Sequence, residues 1–464
     1  MEKPALPSVE HGIIPQHANR KFPMNQNATR TLSSLIDDEG LSSFQILIIV
    51  LCALIAMLDG FDTQAIAFVA TAITSEWHLP IASFGPIFAI GLVGSLFGAF
   101  GFGMMADRVG RKTTLVVSVS VFAVGSLLTG WSSSVFELAA LRLLTGLGLG
   151  GAMPSIISMT AEYSPRRLRA TLVTAGFCGF PLGAVIGAIG STKLVPMFGW
   201  RSIFVVGGCL PIALLPLLIF ALPESIRWLA ARNRTAEITK VLKRANRSHL
   251  WNGSSHIDET APSQKNNVAA LFAAGRGGGT ILLWLASFMS LLLTYLLVSW
   301  VPTIAQQTGV GPNVGMLAAA VLNVGGILGG LLIARWSDRF GEFRVVSSAY
   351  IGGGCLVLIV GLATPLNQTI YWIAGMAGFF CIGAQLCVLA IASGYYPLDL
   401  RATGVGSTMG VGRVGAIVGP LVGSLLIQSA GSHSLLFIVV AVTSLIAGGA
   451  IFGMGQGRSS RAHP

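Results

Sequence analysis

Two carboxylates, Asp59 and Asp62, lie inside a long apolar segment, within the stretch LDGFD. At a spacing of three residues, they share one face of a helix. Where water is scarce, neighbouring carboxylates resist double ionisation, so at least one should bind a proton near neutral pH. The pattern therefore predicts a proton carrier. The alternative is structural: one Asp caps a kink at Gly60 or only pairs with an Arg.

Arg142 is the candidate partner of these carboxylates. At 1.5 Å per residue, Asp62 lies about 10 Å from the outer end of its predicted span, and Arg142 lies at a similar depth in another span. Protonation of the aspartate would release Arg142, and the converse coupling must also hold. The alternative is a static ion pair.

Arg413 lies near the middle of a span, where transporter sites are usually found. An unpaired guanidinium there is too costly unless an anion visits it, and a substrate carboxylate would accept two parallel hydrogen bonds from it. The alternative is that Arg413 bonds helix carbonyls. A substrate ring would need aromatic walls with few polar groups. The candidates are Phe61, Phe177, Phe180, Tyr295, Trp300 and Phe379 for the walls, with Asn323 and Gln385 as hydrogen-bonding partners.

Membrane-spanning helices are the elements that must position these residues. The chain has 464 residues, of which 53% are hydrophobic and 10% charged, and its mean hydropathy is +0.75. Apolar runs of about 20 residues, the length that crosses the hydrocarbon core, predict an all-α integral membrane protein. The twelve predicted spans lie near 46–69, 84–105, 113–131, 135–157, 168–192, 202–222, 279–302, 314–335, 345–364, 369–393, 403–428 and 433–455.

The positive charges collect on one side of these spans. Of the 29 Lys and Arg residues, all but Lys193, Arg201, Arg142 and Arg413 fall on the side of the N-terminus. By the positive-inside rule, both termini are expected in the cytoplasm. This topology also explains the net charge of +11, so no nucleic-acid partner is expected. The six cysteines lie within predicted helices without CxxC spacing, which favours packing over metal binding.

The two halves of the chain resemble each other. FGMMADRVGR at 102–111 aligns with IARWSDRFGE at 333–342, and YSPRRLRAT at 163–171 aligns with YYPLDLRAT at 395–403. Two loops that recur at nearly the same spacing predict duplication of a six-helix unit. The expected domains are a cytoplasmic tail at 1–44, six-helix bundles at 45–222 and 279–455, a solvated cytoplasmic connector at 223–278 and a cytoplasmic tail at 456–464.

Three motifs resemble those of the major facilitator superfamily. GMMADRVGRKTT at 103–114 is similar to its loop motif between helices two and three, RLLTGLGLGGAMP at 142–154 to its fourth-helix motif, and LPESIRWL at 222–229 to the segment after its sixth helix. Within the superfamily, DGFDTQAI, GFCGFPLGA and GVGRVGAIVGP, in the first, fifth and eleventh predicted helices, are similar to the aromatic acid:proton symporters. This likeness runs from about residue 41 to 453.

The resemblance implies a function and a location. Helices one and four are neighbours in this fold, so Arg142 could reach Asp59 or Asp62. The implied activity is import of an aromatic carboxylate of the hydroxybenzoate, benzoate or chlorophenoxyacetate type with protons, by alternating access. The proton gradient would drive it without a cofactor. The expected setting is the lipid bilayer of a bacterial inner membrane, and the expected state is a monomer.

The loop motif also implies a gate on the cytoplasmic side. Its candidate residues are Gly103, Asp107, Arg108, Gly110 and Arg111 in the first half, with Asp338 and Arg339 in the second. Charges of the first copy could bridge helix ends and favour an outward-open state; the alternative is that they only set topology. The second copy departs from the pattern, because Glu342 and Phe343 stand where the first has Arg111 and Lys112.

Other functions are weighed against this one. The same fold could carry another organic anion, or export a drug or metabolite by proton antiport, although Arg413 argues against a cationic substrate. No HExxH, GxSxG or cluster of His and Cys supports an enzyme or a metal site. The nucleotide-binding signature GxxxxGK[ST] is absent, which argues against ATP-driven transport. No recognisable output domain supports a signalling receptor.

Overall fold

The computed structural model describes residues 41–165, 167–246, 268–273, 275–307, 309, 311, 313–363, 365–397, 399–429 and 434–459. Within these ranges the chain forms helices and turns without a β-strand. Most of the predicted N-terminal tail and the Gly, Ser and Asn-rich part of the predicted connector lie outside the described residues.

The prediction of twelve membrane-spanning helices is confirmed for the described residues. We number them spans one to twelve. Their helices are Ser43–Trp77, Phe84–Val109, Arg111–Thr129, Val135–Tyr163, Arg169–Phe177 with Gly179–Phe198, Arg201–Ala221, Gly277–Gln307, Val314–Phe340, Glu342–Ala363, Leu366–Ala377 with Gly383–Tyr395, Arg401–Ser429 and Ser434–Ser459.

The helices run past the apolar segments that predicted them. Span one begins at a capping box, in which the Ser42 hydroxyl accepts from the Gln45 N–H while the Gln45 side chain accepts from the Ser42 N–H. It ends where His78 adopts a left-handed conformation with φ of 52°. Caps of this kind stop a helix. Hydropathy indicates only the part of a helix that lies inside the lipid. The range predicted for span one therefore did not include the polar turns at its two ends.

Spans five and ten are interrupted, which the sequence did not predict. Span five breaks at Cys178, between two helices. Span ten contains a π-helical turn, Gly378–Ile382. Such turns are rare and occur often at functional sites. Predicted substrate residues lie at both interruptions: Phe177 and Phe180 lie on either side of Cys178, and Phe379 lies within the π-helical turn.

The spans pair in the same way in both halves. Span one packs on span five, two on four, and three on six; correspondingly, seven packs on eleven, eight on ten, and nine on twelve. This repeated pairing is the pattern expected of a duplicated six-helix unit. The halves meet where span two contacts span eleven, span five contacts span eight, and span one contacts span seven.

Glycines allow spans two and four to touch through their backbones. A Cβ on Gly146 would collide with the carbonyl of Gly91, and a Cβ on Gly150 would collide with the carbonyl of Ser95. Small residues at such spacing permit close helix contact in membranes. Span four, which carries Arg142, is therefore fixed against span two.

One end of the bundle is closed between the halves. We call it the distal end, because it lies away from the start of span one and the end of span twelve; the opposite end is proximal. At the distal end, the Ser424 hydroxyl donates to the Ala82 carbonyl at 2.6 Å. The rings of Phe88 and Trp300 meet edge to face, with centroids 5.4 Å apart. These contacts join the two halves at the distal end.

The first part of the predicted connector is packed against the bundle, which corrects the expectation of a solvated segment. It forms the short helices Ile226–Ala231 and Thr235–Arg244. Their apolar residues Ile226, Ile238 and Leu242 are buried in the proximal core of the first half. Apolar residues recur on one face of the second helix, and covering that face removes them from water.

Candidate substrate and proton site

Asp62 and Arg142 form an ion pair inside the first half. Asp62 is fully buried, and Arg142 is 4% exposed. The Nη1 of Arg142 donates to Asp62 Oδ2 at 3.3 Å, and the Ser126 hydroxyl donates to Asp62 Oδ1. On span six, a Cβ at Gly207 would lie 3.3 Å from the same Oδ1, so glycine leaves room for the carboxylate. Of the two aspartates the sequence offered, the structure pairs Asp62 with Arg142.

Further groups hold the Arg142 guanidinium. Its Nη2 donates to Thr129 Oγ1 at 2.8 Å and to Thr145 Oγ1 at 3.3 Å. Its Cζ lies 4.8 Å from the centroid of the Phe204 ring. Its Nε is buried and has no hydrogen-bond partner among the described residues. Because a buried charge is costly unless it is paired and hydrogen-bonded, these contacts fix the position of Arg142.

Asp59 lies one helical turn before Asp62, in a different environment. It is 4% exposed and accepts a hydrogen bond from Thr63 Oγ1 at 3.1 Å. Arg413 of span eleven acts on it electrostatically, as does Asp62. Asp59 is therefore within electrostatic range of Arg413 in the second half, whereas Asp62 is paired within the first half.

Arg413 reaches across the interface between the halves. Its Nη1 donates to the carbonyl of Ser95 at 3.2 Å and to the Ser95 hydroxyl at 3.1 Å. One nitrogen of Arg413 therefore bonds a helix carbonyl, as the alternative interpretation of this residue expected. The Nη2 and Nε of this half-buried side chain donate no hydrogen bond to a described residue. These two nitrogens could therefore donate hydrogen bonds to a bound carboxylate.

Tyr295 of span seven completes a polar group at the interface. This residue is half-buried, and its hydroxyl lies within electrostatic range of both Arg413 and Asp59. The structure thus brings together residues from spans one, two, seven and eleven. We call Asp59, Ser95, Tyr295 and Arg413 the central site.

Two aromatic residues expected in the substrate walls lie elsewhere. Phe61 packs inside the first half, where Gly187 and Gly207 make room for its ring. Trp300 is fully buried at the closed distal end, where its indole N–H donates to the Pro420 carbonyl at 3.0 Å. A helix has several faces, and an aromatic residue type does not reveal which face it occupies. Contact of Phe61 or Trp300 with a substrate stays a prediction.

The other predicted aromatic residues surround the interrupted spans. Phe177 lines a small, mainly apolar pocket between spans one, four and five. The carbonyl of Phe180 lies against Gly60, where a Cβ would collide with it. The Phe379 ring lies 6.5 Å from the Trp336 ring. Their contact with a substrate stays a prediction.

Asn323, predicted to bind a ring substituent of the substrate, forms hydrogen bonds with Gln64, a residue that was not predicted from the sequence. Asn323 Nδ2 donates to Gln64 Oε1 at 2.9 Å, and Gln64 Nε2 donates to Asn323 Oδ1 at 3.0 Å. The pair is buried and joins span one to span eight. In this conformation Asn323 bonds Gln64, and its contact with a ring substituent of the substrate stays a prediction. Gln385 is half-buried on the helix that follows the π-helical turn.

Four further residues of the site were not predicted from the sequence, namely Ser95, Ser126, Thr129 and Phe204. Hydroxyl and aromatic residues are common in membrane spans, so their types alone carry no signal. Gln64 offered a better one, because it is a long amide in an apolar segment, two residues after Asp62.

At the proximal end of the first half, two glutamates organise the loop motif. Arg111 forms an ion pair with Glu162, whose Oε2 also accepts from the Ser225 hydroxyl at 2.7 Å. Glu224 Oε1 accepts from the backbone N–H groups of Arg111 and Lys112, at 2.7 and 2.9 Å. A carboxylate at a helix N-terminus is stabilised by the helix dipole. Arg111 therefore bridges helix ends, as the motif implied.

The remaining motif residues contribute mainly through the backbone. Arg232 Nη2 donates to the carbonyls of Asp107 and Arg108, at 3.3 and 2.6 Å, while both of their side chains are exposed. Gly110 has φ of 104°, which favours glycine. A Cβ at Gly103 would meet open space. The expected bridging by the Asp107 and Arg108 side chains is therefore not seen in this conformation.

The second copy of the motif is built differently. Gly341 has φ of 96°, which matches Gly110. Asp338 and Arg339 are exposed, and the Arg339 Cζ lies 5.3 Å from the Phe340 ring centroid. A gating role for these residues stays a prediction.

Twelve spans in two equivalent sets, with buried charges at their centre, define a multi-pass membrane carrier. A family model described as sugar (and other) transporter matches residues 48–454. The chain belongs to this transporter family of the major facilitator superfamily, and the resemblance to the superfamily's aromatic acid carriers is confirmed.

The relatives and solved structures agree with this placement. The chain is 39% identical over 434 residues to the 4-hydroxybenzoate transporter PcaK of Pseudomonas aeruginosa, with 92% of each chain covered. It is 38% identical to a gallate transporter of Pseudomonas putida, covering 91% of this chain and 94% of the relative. A partially occluded, inward-open structure of the xylose transporter XylE from E. coli shares the fold, with a TM-score of 0.69, 18% identity and coverage of 88% and 97%.

Proposed function

We propose that this protein imports an aromatic carboxylate together with a proton, by alternating access of its two halves. The observation that carries the proposal is Arg413, a cation at the interface with unused donors, beside Tyr295 and Asp59. The relatives named for 4-hydroxybenzoate and gallate support an aromatic acid as the substrate.

Arg413 binds the substrate carboxylate through its free nitrogens, because guanidinium and carboxylate match in planar geometry. Tyr295 donates a hydrogen bond to the substrate. Ionised Asp59 competes with the substrate for Arg413, and two carboxylates repel each other where water is scarce. Protonation of Asp59 removes this competition, so that proton and substrate favour each other's binding.

Asp62 has a second role in the proposed cycle. When ionised, it neutralises Arg142 inside the first half; when protonated, it releases Arg142. One proton per monoanionic substrate makes the whole cycle electroneutral. A second proton would add about 2.3 kcal/mol of driving force per 100 mV of membrane potential.

The proposed orientation follows from the charge asymmetry. The proximal end faces the cytoplasm of a bacterial cell, with both termini there, and the distal end faces outward. The structure then corresponds to a state closed to the outside. We propose a monomer whose six-helix bundles, 45–222 and 279–455, rock about the central site. The proximal motif residues, including Asp338 and Arg339, act when the cytoplasmic side closes.

Uptake into proteoliposomes under an imposed inward proton gradient tests this function. The panel contains radiolabelled 4-hydroxybenzoate, gallate and benzoate, with xylose and a quaternary ammonium compound as non-acidic controls. We expect accumulation of at least one aromatic acid above its external concentration, abolished by a protonophore, and no uptake of the controls. Failure to accumulate any aromatic acid would refute the proposed function.

A further inference from the structure

A phenylalanine that no motif includes covers the guanidinium of the buried ion pair. Phe204 of span six is fully buried, and its ring lies over Arg142 at 4.8 Å from Cζ to centroid. A ring face attracts a cation, and the attraction is stronger where water is excluded. The face of the Phe204 ring therefore contacts Arg142 in addition to the hydrogen bonds that its guanidinium donates to Asp62 and Thr129.

Phe204 is itself held from the distal surface. The Trp200 ring meets it edge to face, with centroids 6.0 Å apart and planes at 81°. The Trp200 indole N–H donates to Glu76 Oε2 at 2.6 Å, and Arg201 donates to Glu76 Oε1 at 2.8 Å. A continuous aromatic contact thus leads from an exposed ion pair at the distal end to the buried Arg142.

The surroundings of the pair show why the ring matters. Asp62 is faced by Arg142 from span four, by the Ser126 hydroxyl from span three and by Gly207 from span six, with Asp59 as the neighbouring charge on its own helix. Span six brings a ring and a glycine to this pair. Span six begins with Arg201 at the distal surface, and Phe204, an apolar ring one turn further along, lies between Arg201 and Gly207 in the chain.

We propose that Phe204 is a positioning residue, which holds Arg142 against Asp62 and, with Trp200, keeps distal water away from the pair. This inference rests on the proposed function, in which Asp62 exchanges a proton. Without the ring, Arg142 can tilt away and water can reach Asp62 from the distal side. Protons then cross without substrate, and the coupling between proton and substrate is lost.

The test measures proton leak in the absence of substrate. Purified variants are reconstituted in liposomes that contain a pH-sensitive dye, and a potassium diffusion potential set by valinomycin drives proton entry. Phe204→Leu and Phe204→Met remove the ring by two routes, and Phe204→Tyr keeps it. Phe122→Leu is the matched control, because Phe122 is a fully buried ring of the same half that belongs to the proximal core.

We expect the ring-free variants to leak protons at about ten times the wild-type rate, which corresponds to a lost barrier of about 1.4 kcal/mol. Phe204→Tyr and Phe122→Leu should both leak protons at the wild-type rate. A wild-type leak rate in both ring-free variants would overturn the inference. So would a leak in Phe122→Leu as fast as that of the ring-free variants. The leak is measured without substrate, so it decides this question even if uptake assays refute the proposed function. Conversely, if the ring-free variants do not leak protons, the result of the uptake assay still stands.

Discussion

Arg142 donates to Asp62 at 3.3 Å inside the first half, with both side chains withdrawn from solvent. This contact joins span four to span one, and it places opposite charges where hydration cannot compensate either one. Removal of one partner leaves the other unpaired, which is costly for a buried pair. The contact can therefore be tested by stability and by transport.

The first prediction concerns this pair. Asp62→Asn and Arg142→Gln should each lower stability by about 3–5 kcal/mol, while the double variant should lose much less than the sum. Thermal unfolding of the detergent-purified variants gives the coupling. If the pair is only a static ion pair, the double variant should also regain uphill uptake. We expect that it does not, because Asp62 can then no longer exchange a proton and release Arg142 during the cycle.

The second prediction concerns Arg413. Arg413→Lys keeps the charge but loses the paired donors, and one charge-assisted hydrogen bond is worth about 1.5–3 kcal/mol. The apparent KM for the aromatic acid should rise about tenfold or more. Arg234→Lys is the control, because Arg234 is exposed on the connector, outside the central site and the gate, and it should keep the wild-type KM. An unchanged KM in Arg413→Lys would exclude the carboxylate-binding role.

The third prediction concerns the amides that join the halves. Gln64→Ala leaves the buried Asn323 without its reciprocal hydrogen bonds in the closed form, which disfavours that form. The distal end should open more often. Spin labels at positions 82 and 424 lie on opposite sides of the distal contact. Opening of the distal end would shift the distribution of distances between them to longer values. Distances that match those of the wild type would show that the amide pair does not stabilise distal closure.

The fourth prediction concerns the proximal ion pair. Glu162 is 7% exposed, so Glu162→Gln should lower the free energy of unfolding by several kcal/mol, because Arg111 loses its buried partner. The matched control is Glu237→Gln, which breaks an exposed pair with Arg234 and should cost less than about 1 kcal/mol. Equal melting temperatures for the two variants would contradict the assigned importance of Glu162.

The sequence predicted the fold well because its signals are local and strong. Apolar runs, charge asymmetry and two repeated loops are enough to indicate twelve spans in two related halves. The same signals cannot place helix ends, since Ser42 and Gln45 begin span one through a cap outside the apolar run. Nor can they foresee the π-helical turn at Gly378–Ile382, whose sequence is apolar like that of its neighbours.

The site was predicted in part, for a related reason. Charged residues deep in a span are rare and expensive, so Asp59, Asp62, Arg142 and Arg413 could be singled out by type alone. Hydroxyls and rings are common in spans, so the contacts of Ser95 and Phe204 depend on which helix faces meet. That information lies in tertiary packing. For the same reason Trp300 and Asn323, chosen by type, proved to lie in contacts between helices.

The most direct test of the account records proton and substrate movement together. In proteoliposomes without an imposed gradient or potential, external 4-hydroxybenzoate should enter with protons, so the medium should become more alkaline in fixed proportion to radiolabel uptake. Asp59→Asn should take up the acid without alkalinisation of the medium. Wild-type uptake without a pH change, or an unchanged ratio of protons to substrate in Asp59→Asn, would contradict proton coupling through the central site.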